Sequence, residues 1–134
     1  MNTKYLMIVS AIIMGALGAS ASFFPNEILD TLGIASNELV LLCLQLMSAL
    51  YLGFAIMNWM AKTVLIGGIY AKPLSMGNFF HFAIGAIILI KLVIHNPASP
   101  KFFWAICIIY SILAVLFGMV LFKNTLKNNS GKQS

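Results

Sequence analysis

The sequence predicts an all-α integral membrane protein, a bundle of four transmembrane helices. Three observations predict it. Of 134 residues, 61% are hydrophobic and only 8% are charged, whereas a soluble domain carries about 25% charged residues. The apolar residues gather into four runs, each close to the roughly 20 residues that a helix needs to cross hydrocarbon. Helix breakers separate the runs: Pro25, then Gly67-Gly68 with Pro73, then Pro97 and Pro100. A soluble core of this length has no way to hide so much apolar surface while its own surface stays wet. The reading is one domain over residues 1–123, followed by a polar tail over 124–134.

Charge narrows the function classes. The net charge of +5 comes from eight lysines, with no arginine, against Glu27, Asp30 and Glu38. The lysines flank apolar runs instead of clustering on a polar face, so nucleic acid is excluded as a partner and membrane topology explains them. Cys43 and Cys107 lie inside apolar runs without metal or redox spacing, and read as small buried hydrophobes.

The first span covers residues 5–24. Ala11, Gly15 and Ala19 recur every four residues, with Gly18 and Ser22 repeating the spacing beside them. Small residues in this pattern let a second helix approach closely. Ala19-Ser20-Ala21 after Lys4 also has the form of a signal-peptide cleavage site. Because the apolar run continues through Phe24, the expectation is a helix that stays attached.

Pro25 ends this helix. Asn26 is expected to cap a short amphipathic turn with Glu27 and Asp30 near its start, and Gly33 to stop it. The second span covers 39–61, capped by Asn37 or Ser36. Tyr51, Ala55 and Asn58 share one of its stripes, and Glu38, Leu42, Gln45 and Ala49 share another. Trp59 belongs to an interfacial aromatic belt.

Lys62 to Gly77 is a connection, too apolar for an ordinary loop, and is expected at the interface or folded against the bundle. The third span covers 78–95, with Asn78, His81, Gly85, Ile88, Leu92 and His95 near one stripe and Lys91 beside it. The fourth covers 102–122, with Trp104 near one end, Tyr110 in its body and an Ala114/Gly118 small pair. The tail from Lys123 is expected to be disordered. With four spans, Lys4, Lys62, Lys72, Lys123, Lys127 and Lys132 fall on one side, so both termini are expected in the cytoplasm and the protein in the cell's inner membrane.

Two polar constellations follow. At the inner end, Asn58 and His81 lie about one turn from the ends of neighbouring spans, with Asn78, Tyr70, Lys62 and Lys72 nearby and Tyr51 further up the Asn58 stripe. One reading is hydrogen bonding between helices. The other is the floor of a ligand pocket, with His81 as donor or proton carrier. At the outer end, Glu38 begins the second span while Lys91 and His95 end the third, an arrangement that suits a surface ion pair and snorkelling. No metal site or cofactor is expected: His81 and His95 are the only histidines, about 21 Å apart on one helix. Ser-His-Asp and phosphate-loop patterns are absent.

The pattern LQLMSALYLGFAIMNWMA, then IGGIYAKP, then GNFFHFAIGA resembles small bacterial membrane proteins of the DoxX-like kind. The resemblance covers the second and third spans. It implies a four-helix architecture and, for some such proteins, service as small subunits of quinone-linked oxidoreductases. No residue here carries redox chemistry, so no catalytic residue is transferred. The expected function is non-enzymatic: binding a lipid or quinone-like molecule, or acting as an accessory subunit of a larger membrane complex. The alternative is a membrane-embedded enzyme, or a small transporter that works as a homo-oligomer and uses His81.

Overall fold

A computed structural model describes residues 3–64 and 71–130, with side chains through residue 122. All regular structure among them is helical. Four helices are long and apolar enough to cross a membrane: α1 (Thr3–Phe23), α3 (Glu38–Met60), α4 (Lys72–His95) and the Lys101–Phe122 part of α5 (Lys101–Ser130). A short α2 (Pro25–Thr31) lies between α1 and α3. By composition and helix length, this is a multi-pass membrane protein. The chain folds as two compact units, Met1–Thr63 and Val64–Ser134.

The first unit is an antiparallel hairpin of α1 and α3. Gly18 sits where the two helices come closest: a Cβ there would lie 3.0 Å from both the Leu52 nitrogen and the Ser48 carbonyl oxygen. One turn earlier, a Cβ at Gly15 would meet the Ala55 methyl at 3.6 Å, an ordinary contact. The small-residue pattern of the first span therefore does bring a helix in closely, with Gly18 as the point that tolerates no side chain.

The link between these helices is set by local chemistry. Pro25 occupies the first position of α2, where its missing N–H is not needed. The helix begins on Phe24, without a side-chain cap, and not on Asn26 as expected. Gly33 has φ +67°, and it closes α2 through Gly33 N–H to the Asp30 carbonyl at 3.0 Å and Ile34 N–H to the Leu29 carbonyl at 2.9 Å. This is a Schellman stop, which favours glycine. Asn37 then caps α3 by accepting from the Val40 N–H at 2.9 Å.

The second unit is the antiparallel hairpin of α4 and α5. Helix α4 begins at Lys72 and not at Asn78, because Pro73 falls in the first turn, where its fixed φ and missing donor favour a start. The last six residues of the segment expected as a connection, 72–77, are thus helix. The polar end of the chain differs as well: α5 continues through Ser130 instead of ending near Phe122.

Side chains and glycines interlock across this hairpin. Phe82 and Phe117 are fully buried and stacked at 5.7 Å between ring centroids. The Tyr110 ring of α5 lies on Gly85 of α4, where a Cβ would stand 2.7 Å from its ring carbons. Reciprocally, the Phe79 ring of α4 lies on Gly118 of α5, at 3.1 Å from a built Cβ.

Candidate functional site

The buried polar side chains among the described residues fall into two groups, one in each unit. In the first, the Asn58 amide donates to the Ser10 hydroxyl at 3.1 Å, and Ser10 donates to the Met7 carbonyl at 3.0 Å. Asn58 and Ser10 have no exposed surface. An amide in hydrocarbon must find a partner. Here α1 supplies one through a hydroxyl that is itself anchored to its own helix. Tyr51 is half-buried on the same side of α3, between buried Ser48 and Ala55. At the helix end, the Lys62 ammonium lies 3.4 Å from the centroid of the Trp59 ring. That cation–π contact marks an interfacial anchor.

In the second unit, α4 carries Ser75, Asn78 and His81 in successive turns. Ser75 donates to the Ala71 carbonyl at 3.3 Å and Asn78 to the Leu74 carbonyl at 3.0 Å. Both are buried. His81 is half-buried. Its Nε2 lies 3.4 Å from the Tyr110 hydroxyl of α5, and its ring packs edge-on against Phe82 at 5.1 Å. With Nε2 bare the phenol donates; with Nε2 protonated it accepts. The pair therefore offers a bound polar group either a donor or an acceptor.

The predicted inner residues divide between these places. Asn58, Tyr51 and Lys62 belong to the first unit; Asn78, His81 and Lys72 belong to the second, Lys72 being exposed in the first turn of α4. Tyr70, with Gly67 and Gly68, lies outside the described residues. The outer residues divide likewise. Glu38 starts α3, whereas exposed Lys91 and His95 lie near the end of α4, where His95 Nδ1 stands 3.0 Å from the Lys91 carbonyl.

Two features of the site went unread in the sequence. Tyr110 is the partner of His81, and Phe82 forms the wall beside it. The one available signal was Tyr110 itself, whose hydroxyl in the body of a span demands a partner. The expected third-span stripe also drifts: Asn78 and Gly85 lie on its packed side, but Ile88 is 62% exposed and Phe82 takes the buried place. A period of 3.6 carries the packed face through 75, 78, 82, 86 and 93.

On α5, Ser111, Ile112, Val115 and Leu116 line an open, apolar depression of about 290 Å³. With so little polarity it suits an acyl chain better than a headgroup. Compared with known proteins, the chain matches no family model, no curated protein and no solved structure.

Proposed function

We propose that the protein is a non-enzymatic, multi-pass protein of the cell's inner membrane that binds a small amphiphile, a lipid or a quinone-like molecule. The polar group of that molecule is received by the His81–Tyr110 pair. The observation that carries the reading is this pair: an imidazole and a phenol 3.4 Å apart, against the Phe82 ring, in a hairpin whose remaining core is largely apolar and aromatic. A ligand with an apolar body and one polar group matches such a setting. A helix brace needs only a hydroxyl or an amide; a half-buried imidazole additionally offers a titratable group to a visitor.

Lysine asymmetry supports cytoplasmic termini, and the resemblance to DoxX-like proteins rests on the residue pattern of the second and third spans. A second reading, proton transfer by His81 in an enzyme or transporter, is favoured by the same observation, since an imidazole beside a phenol has a hydrogen-bonded partner for a moving proton. The two readings separate at His81→Gln: an amide still hydrogen-bonds a ligand's polar group, whereas it cannot carry a proton, so amphiphile binding persists on the first reading and activity is lost on the second.

The test is purification from the native membrane in lipid nanodiscs, followed by mass spectrometry of the small molecules released. Wild type is expected to carry one amphiphile that His81→Leu loses and His95→Gln keeps. Identical small-molecule content in all three proteins contradicts the reading.

A further inference from the structure

The depth of the His81–Tyr110 pair narrows what it can receive. On α4, His81 stands nine residues after Lys72 and ten before Lys91. On α5, Tyr110 stands nine residues after Lys101 and thirteen before Lys123. At 1.5 Å per residue, the nearest lysine on either helix is about 13.5 Å away along the axis. Lys72 and Lys101 open helices that run antiparallel, so they mark opposite ends of one hairpin. A hydrocarbon layer about 30 Å thick therefore holds the pair close to its middle.

Ionic groups keep away from that level. In the other unit, too, they stand at helix ends or between spans: Lys4 in the first turn of α1, Glu27 and Asp30 in α2, Glu38 at the start of α3 and Lys62 just after it. What surrounds the pair in its own hairpin is neutral. Phe82 stands edge-on to the His81 and Tyr110 rings, at 5.1 and 5.2 Å between centroids. Ser75 and Asn78, the polar residues nearest along α4, donate to carbonyls of their own helix.

We infer that the molecule received here has a flat, neutral head carrying a carbonyl, as a quinone has, and is not a phospholipid. The inference rests on the reading of the pair as a ligand site. A phospholipid's phosphate belongs at the interface. To reach the pair it would travel about 13 Å into hydrocarbon and lose its water, with no cation at that level to replace it. A neutral carbonyl enters the same layer at far lower cost. It accepts from the phenol O–H or from the imidazole N–H. Three aromatic rings in mutual contact favour a head that is itself flat.

The test uses the full chain in nanodiscs and two tritiated probes, a short-chain quinone and a short-chain phosphatidylglycerol, each titrated by scintillation proximity. The quinone is expected to bind wild type saturably, and Tyr110→Phe, which removes only the hydroxyl, should weaken it by about 3- to 10-fold. Phosphatidylglycerol should bind at least about 100-fold more weakly than the quinone, the discrimination expected against a charge at mid-membrane, and Tyr110→Phe should leave it unchanged. Phosphatidylglycerol binding within about tenfold of the quinone, and weakened by Tyr110→Phe, overturns the neutral head while the pair stays a ligand site. Binding of both probes that is indifferent to Tyr110→Phe and to His81→Leu overturns the reading of the pair, and the inference with it.

Discussion

The Asn58 amide donates to the Ser10 hydroxyl at 3.1 Å, between two residues that are entirely buried and 48 positions apart in sequence. This is a side-chain bond between α1 and α3 set among apolar contacts. Interhelical hydrogen bonds in membranes contribute about 0.6 kcal/mol on average and about 1.7 at most. A double-mutant cycle with Ser10→Ala and Asn58→Ala, read by reversible unfolding in bicelles, is expected to show a coupling in that range. Strictly additive losses would show that the bond contributes nothing.

The closest approach of α1 and α3 gives a sharper contrast. A Cβ at Gly18 meets two backbone atoms of α3 at 3.0 Å, and backbone does not swing aside. Gly18→Ala should therefore destabilise the hairpin by about 1–3 kcal/mol, the usual cost of overpacking. At Gly15 the same methyl lies 3.6 Å from Ala55, so Gly15→Ala should be neutral or slightly stabilising through helix propensity. Equal effects in the same unfolding measurement would rule out this account of the crossing.

These contrasts also indicate what was legible in the sequence. The four spans, the Asn37 cap and the Gly33 stop were readable because each depends on a few neighbouring residues and on chemistry with one strong solution. The small-residue pattern of α1 was readable as a packing face, but not its tightest point, because Gly15 and Gly18 differ only in what α3 places opposite them. Pro73 was read as part of a connection although proline suits the first turn of a helix equally well. Tyr110 and Phe82 were missed as site residues because their roles depend on how α4 and α5 are rotated against each other. Matching residue depths along neighbouring spans does not supply that rotation.

The Tyr110 ring rests on Gly85, so its position can be disturbed without touching His81. Gly85→Ala would place a methyl where ring carbons now lie, at 2.7 Å. The ring must shift, and its hydroxyl with it. Amphiphile binding is expected to fall by about tenfold, while Gly118→Ala, which presses on the edge of Phe79 at 3.1 Å, should leave binding within about twofold. Equal binding losses in the two variants, in a scintillation-proximity titration, would separate the site from Tyr110.

Topology is checked by reporters. A green fluorescent fusion after the C-terminus should glow, and an alkaline phosphatase fusion there should be inactive, because six of the eight lysines lie in segments that four spans place on one side. The opposite pattern would invert the orientation.

The central claim is that a ligand's polar group meets the His81–Tyr110 pair. His81 and His95 are the only histidines in the chain, so imidazole-nitrogen NMR of histidine-labelled protein in nanodiscs contains two assignable sets of signals. On titration with a short-chain quinone or with a short-chain phospholipid, the His81 ring signals are expected to shift saturably with one of the two. His95 should stay fixed, and Tyr110→Phe should weaken the response. No saturable shift at His81 with either molecule, or a shift confined to His95, would contradict the account.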